Sequence, residues 1–159
     1  MATPACSTIL IVDDEASVRA GLARSLHEPG YRVLQADSPV EALAILGKEP
    51  VDLIISDHLM PGMTGLEFLK VVREQFPDTS RIMLTGQADL DTALRAIQEG
   101  EIYRFLAKPC DRTELQVTVH LALEQLELTR EHRRLLDVVS TRPELAKALD
   151  EARRRARKG

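Results

Sequence analysis

The sequence predicts an α/β fold: a doubly wound, five-stranded parallel sheet with helices on both faces, over about residues 6–125. Three observations carry that prediction. Short runs of consecutive apolar residues, Ile9-Leu10-Ile11-Val12 and Leu53-Ile54-Ile55 among them, read as strands buried on both faces. A stretch with helical spacing of its apolar residues follows each strand. The connections are short, and strand–helix alternation with short connections specifies parallel crossovers.

The elements follow in order. The first strand lies in Ser7 to Val12 and ends in Asp13-Asp14-Glu15. Val18, Leu22 and Leu26 then recur every four residues, with Ala23 beside Leu22, and Pro29-Gly30 stops that helix. Tyr31 to Ala36 reads as the second strand. Ser38-Pro39-Val40-Glu41 is a helix start: Ser38 caps, Pro39 suits the first helical position, and Glu41 stands at the capping-box position. That helix is expected to present Val40, Leu43, Ala44 and Leu46 and to end at Gly47.

The third strand, Leu53 to Asp57, runs into His58-Leu59-Met60-Pro61-Gly62-Met63-Thr64-Gly65, where Pro-Gly and Thr-Gly force a turn. Leu66, Leu69, Val72 and Phe76 mark the next helix, closed by Pro77. Arg81 to Thr85 is the fourth strand, followed by Gly86. Leu90, Ala93, Leu94 and Ile97 mark a fourth helix ending at Gly100. Tyr103 to Ala107 is the fifth strand, with Lys108-Pro109 at its end. Asp111-Arg112-Thr113-Glu114 caps a last helix that docks through Leu115, Val119, Ala122 and Leu126.

Composition narrows the function. The chain of 159 residues is 44% hydrophobic and 29% charged, the balance of a globular protein; with 3% aromatic residues and no Trp, aliphatic side chains must fill the core. No apolar run approaches the roughly 20 residues a membrane span needs, and the first residues lack the pattern of a signal peptide, so a cytoplasmic location is expected. Cys6 and Cys110 are too few and too isolated for a disulfide framework or a zinc site. Residues 150–159 hold five basic and two acidic groups, a local +3 within a net charge of −4. The remainder is therefore −7, which argues against nucleic acid as a partner of the main domain.

The chemistry stands at the strand ends. The first strand ends in Asp13 and Asp14, the third in Asp57, the fourth in Thr85 and the fifth in Lys108. In a parallel sheet these ends share one edge, where open α/β sheets bind their ligands. Three carboxylates forced together repel and raise one another's pKa. A divalent cation relieves that repulsion, and an all-oxygen set suits Mg²⁺. With Lys108 and the Thr85 hydroxyl, the group forms a cradle for a phosphoryl group, and Asp57 is the candidate nucleophile.

The ordered set Asp13-Asp14, Asp57 followed by Met60-Pro61-Gly62, Thr85-Gly86 and Lys108-Pro109 resembles the receiver domain of two-component response regulators, over roughly residues 8–125. The resemblance implies a flavodoxin-like sheet and a partner, either a sensor histidine kinase or a phosphotransfer protein, whose phosphohistidine phosphorylates Asp57. It implies Mg²⁺ on Asp13, Asp14, Asp57 and the backbone carbonyl of Leu59. Lys108 would pair with a phosphoryl oxygen and Thr85 would move to bond another. Phe105 fits the aromatic that changes rotamer with Thr85, and Gly86 the small residue that leaves the phosphoryl group open to water. Output would pass through the fourth helix, fifth strand and fifth helix. His58 is read as solvent-facing, and Tyr103 as a packing residue on the same strand face as Phe105. The passages Leu84 to Asp89 and Ile102 to Leu106 resemble receivers joined to HD-type cyclic-di-GMP phosphodiesterases.

Two other readings use the same residues. A phosphatase of the haloacid dehalogenase type also combines Mg²⁺ with Asp, Thr and Lys. It carries a second Asp two residues after the nucleophile, where this chain has Leu59. A degenerate receiver would act only as a protein-binding module, but all five key positions are filled.

Residues 126–159 read as a helical extension with a basic end, a linker or dimerisation segment. Leu121, Leu128 and Leu135 repeat every seven residues, as in a helix that pairs with a second copy, although Glu124 and Glu131 occupy the companion positions. Ser140 to Glu144 breaks the helix and starts another that carries Leu145, Ala148, Leu149 and Ala152. Its basic end complements the helix dipole. No helix-turn-helix, GGDEF-like or HD-like motif follows, so the sequence is expected to be a stand-alone regulator or a piece of a longer protein.

Overall fold

The computed structural model describes residues 6–86 and 89–158. Among the described residues, five strands alternate with five helices and a sixth helix follows: β1 (Ser7–Val12), α1 (Ala16–Ser25), β2 (Tyr31–Ala36), α2 (Pro39–Lys48), β3 (Leu53–Asp57), α3 (Gly65–Gln75), β4 (Ser80–Thr85), α4 (Leu90–Gln98), β5 (Arg104–Ala107), α5 (Arg112–Thr141) and α6 (Pro143–Lys158). The strands form one sheet in the order β2-β1-β3-β4-β5, and every neighbouring pair is parallel. The chain divides into two compact units, one reaching to Leu126 and one from Glu127.

Strand alternation sends successive side chains to opposite faces of the sheet, so the consecutive apolar residues of β1, β3 and β4 fill two cores. Leu10, Val12, Ile54 and Met83 meet Ala42 and Leu46 of α2, Phe68, Leu69 and Val72 of α3, and Ala93 and Ala96 of α4. Ile9, Ile11, Leu53, Ile55, Ile82, Leu84 and Leu106 meet Leu22 of α1, Leu26 just beyond it, and Leu115, Val119 and Ala122 of α5. Phe68 is the largest fully buried side chain. Its burial stabilises the fold by about 1.5–3 kcal/mol relative to exposure.

Three helix starts follow the capping chemistry. Ser38 Oγ accepts from the amide of Glu41 at 3.2 Å, and Asp111 Oδ2 from that of Glu114 at 3.3 Å. Thr64 Oγ1 does the same for Glu67 at 3.2 Å, at the start of α3. The carboxylate of Glu41 reaches back to the amide of Asp37 rather than to that of Ser38.

Four details differ from expectation. In α2 the buried residues are Pro39, Ala42 and Leu46, whereas Val40 is 79% exposed and Ala44 is also exposed. The helix also runs through Gly47 to Lys48, because a glycine inside a last turn costs only about 1 kcal/mol against Ala and can be carried. In α4 the buried residues are Ala93 and Ala96, and Leu94 and Ile97 face solvent. Small side chains let that helix lie close to the sheet, so its larger ones are left outside. Tyr103 and Phe105 do not share a face: a bend at Tyr103 turns it to the second core, while Phe105 pairs with Met83 and packs on the first.

In the second unit, Leu128, Leu135, Leu136 and Val138 of α5 and Leu145 and Leu149 of α6 are exposed, and no residue of α6 is buried. No described helix is long and apolar enough to cross a membrane.

Candidate functional site

The carboxyl ends of β1, β3, β4 and β5 carry the candidate residues. Asp13 follows β1 and is completely buried. Its Oδ1 accepts from the amide of Glu15 at 2.9 Å, which ties the carboxylate to the start of α1, and Arg19 Nη1 holds its backbone carbonyl at 2.6 Å. Asp57, the last residue of β3, is buried, and Asp14 is exposed. Asp13, Asp14 and Asp57 each offer a carboxylate oxygen, and these oxygens all lie within 4.8 Å of one another.

Lys108 joins them from the end of β5. Its Nζ sits 2.8 Å from Asp57 Oδ1 and 3.5 Å from Asp13 Oδ2. The longer contact is an ion pair without hydrogen-bond geometry, and Asp13 Oδ2 is buried with no hydrogen-bond partner. Burial pushes the Asp13 carboxyl above its ordinary pKa; the Glu15 amide opposes this, and the charge of Asp57 adds to it. The Lys108 ammonium is raised. Desolvation works against its charge, but bonding to Asp57 and the charges of Asp57 and Asp13 prevail.

The donor set fits a hard divalent cation. Three carboxylates and one ammonium leave two negative charges, every donor is oxygen, and one buried oxygen has an open valence toward the cluster.

Thr85 and Phe105 are placed differently. Thr85 is buried and its hydroxyl donates to the carbonyl of Gly86 at 3.1 Å rather than to Asp57. Phe105 is partly buried against the first core. Among the described residues beyond its chain neighbours, a Cβ added at Gly86 would meet nothing within 4 Å. Leu59 is 65% exposed.

His58 is the main correction at the site. It is not solvent-facing: only 7% of it is exposed, and its Nδ1 is buried without a hydrogen-bond partner. The backbone explains this. The His58 amide donates to the carbonyl of Leu84 at 3.0 Å and its carbonyl accepts from Gly65 at 2.7 Å, so the strand pairing extends one residue past Asp57.

Sequence reasoning missed two supports. A Cβ on Gly65 would lie 2.1 Å from the Asp57 carbonyl oxygen, so only glycine lets α3 start this close to the backbone of the acid. The Ser56 hydroxyl donates to the same carbonyl at 2.9 Å. Gly65 carried a signal in the Thr-Gly turn; Ser56 inside a buried strand carried none. Cys110 lies beyond Lys108, and burial followed by the charges of Glu114 and Asp111 pushes its thiol up to about 11, so it is protonated near neutral pH.

Residues 9–120 match the family model of the response regulator receiver domain. The chain belongs to that family. The receiver is 40% identical over 129 residues to the hydrogenase transcriptional regulatory protein HoxA of Cupriavidus necator, covering 81% of this chain and 27% of that one. It is 33% identical over 145 residues to the transcriptional regulatory protein GlrR of Escherichia coli, covering 91% of this chain and 32% of the relative. The receiver thus spans about a third or less of these curated relatives.

Among solved structures it is similar to the signal receiver domain of an HD domain-containing protein from Pseudomonas fluorescens. The TM-score is 0.76 and the identity 37%, with 82% of this chain and 96% of that one covered. A chain described as an adenylate cyclase from Rhodopirellula baltica matches with a TM-score of 0.79 and 36% identity, over 83% of this chain and 98% of that one.

Proposed function

We propose that Asp57 is the phosphoacceptor of this receiver, supplied by the phosphohistidine of a sensor histidine kinase or a phosphotransfer protein. The observation that carries the reading is Lys108 Nζ at 2.8 Å from Asp57 Oδ1, inside a cluster that also contains the buried Asp13. An oxygen of Asp57 attacks phosphorus, the P–N bond to the donor imidazole breaks, and its electron pair stays on that nitrogen. Lys108, already held between Asp57 and Asp13, meets the charge on the transferred oxygens. Asp13, Asp14, Asp57 and the Leu59 carbonyl would hold Mg²⁺, which supplies charge neutralisation at the phosphoryl oxygens.

Thr85 is the switch. Its hydroxyl gives up the Gly86 carbonyl to donate to the phosphoryl group, and Phe105 follows it. The change leaves through α4, β5 and α5. Water enters beside Gly86 to hydrolyse the acyl phosphate and restore the carboxylate, so turnover is confined to Asp57 itself. The working domain is residues 6–125, and it acts in the cytoplasm, where a kinase presents its phosphohistidine. Residues 126–159 serve as linker or dimerisation segment.

Acetyl phosphate or beryllofluoride with Mg²⁺ is expected to change the amide spectrum of the wild-type protein and to leave Asp57→Ala unaltered. Equal responses from both proteins would defeat the assignment. Exposed Leu121, Leu128 and Leu135 suit a seam between two copies, so the phosphate mimic is expected to shift sedimentation from monomer to dimer. An unchanged monomer in both states would remove this seam.

A further inference from the structure

The carboxyl end of α4 is held far more firmly than helix termination requires. Gly100, at φ +74°, closes a Schellman motif: its amide donates to Ile97 at 3.1 Å and that of Glu101 to Ala96 at 2.9 Å. Those bonds already end the helix.

Two guanidinium groups from other elements then take the next three carbonyls. Arg73 of α3 donates from Nη1 to Glu99 at 3.1 Å. Arg81 of β4 donates from Nε to Glu101 at 2.7 Å and from Nη2 to Gly100 at 3.4 Å; its Nη1 also holds the Thr79 carbonyl at 2.9 Å. Lys70 pairs with the buried Glu101 carboxylate at 3.5 Å. Burial, and then the neighbouring charge of Arg73, lower the pKa of Arg81, so the carbonyls hold two cations close together against their repulsion.

Among the described residues, no such clamp holds the other end of α4. Asp89 stands at the N-cap without a side-chain capping bond, and this end follows Thr85 and Gly86 at the site. The guanidinium-to-carbonyl bonds are charge-assisted, and among the described residues the N-terminal end has nothing comparable.

We propose that Arg73 and Arg81 are positioning residues that pin the carboxyl end of α4, so that this helix swings about Glu99–Glu101 when the site changes instead of shifting as a whole. The inference rests on the receiver reading above. It gives that reading a direction: displacement is largest at Leu90 and falls toward Gln98. Leu94, exposed halfway along α4, moves with the free part of the helix. A partner surface there would sense angle rather than translation.

Residue-resolved amide exchange of the full chain, with and without Mg²⁺ and beryllofluoride, tests this. In the wild type the mimic is expected to change exchange by about tenfold at residues 90–94 and by less than about twofold at 98–101. Arg73→Met with Arg81→Met is expected to raise exchange at Gly100 and Glu101 about tenfold without any mimic, and to let the mimic-induced change spread to 98–101. Arg73 is exposed, so Arg73→Met alone gives a folded variant with the same effect in smaller degree if the double variant does not fold. A uniform change along α4 in the wild type overturns the pin, as does an exchange pattern that neither variant alters. A wild-type protein that ignores the mimic everywhere defeats the receiver reading first, and the lever with it.

Discussion

The segment up to Leu126 and the segment from Glu127 have opposite economies. The first puts its apolar residues into two cores and draws its informative charges into one cluster; the second leaves Leu128, Leu135, Leu145 and Leu149 exposed and buries nothing in α6. Charge divides the same way. Residues 127–159 carry ten basic and six acidic groups, a net +4, so the preceding 126 residues hold the other 11 basic and 19 acidic groups, a net −8. The first unit owes its structure to its own packing, while the second exposes apolar side chains that it does not cover itself.

Substitutions test the contrast. Phe68→Ala removes the largest fully buried side chain of the first unit and is expected to cost about 3–5 kcal/mol in urea unfolding. A loss under about 1 kcal/mol would mean that the core around it is loosely packed. Asp13→Asn sharpens the comparison in the other direction, because here burial opposes stability.

The sign for Asp13 follows from its raised pKa. Its neutral form is favoured in the folded state, so the metal-free wild type loses stability as pH rises above 3.8 and through the folded-state pKa. Asp13→Asn should flatten that decline and weaken Mg²⁺ binding, with the urea midpoint followed across pH and metal binding by calorimetry. A wild-type midpoint that rises over that interval with the same slope in Asp13→Asn would refute this account. The smallest effect belongs to the second unit: Leu149→Ala, on the exposed surface of α6, is expected to change monomer stability by about 0.5 kcal/mol or less.

The sheet was legible in the sequence because strands buried on both faces leave runs of consecutive apolar residues, and the cluster was legible because a parallel sheet puts strand ends on one edge. Both signals are local and depend only on pattern. What stayed hidden depends on contact. Val40 and Ala44 share the helical period of α2 without its buried face, and the sheet chose Ala93 and Ala96 of α4 over Leu94 and Ile97 because close approach favours small residues. His58 was misread because one more backbone bond to Leu84 draws it inward, and no residue preference announces such a bond. The Arg73 and Arg81 anchors were invisible for the same reason: their partners are backbone carbonyls, which every sequence has.

The edge position of β5 has a kinetic consequence. Lys108 follows this strand and stands 95 residues after Asp13 (108 − 13) and 51 after Asp57 (108 − 57). Contacts of such long separation pay their loop-closure entropy late, and parallel pairing forms slowly for that reason. The charge arrangement around Asp57 therefore comes into being only when the last strand has docked on β4. On the reading proposed for Asp57, phosphate uptake would depend on the docking of β5.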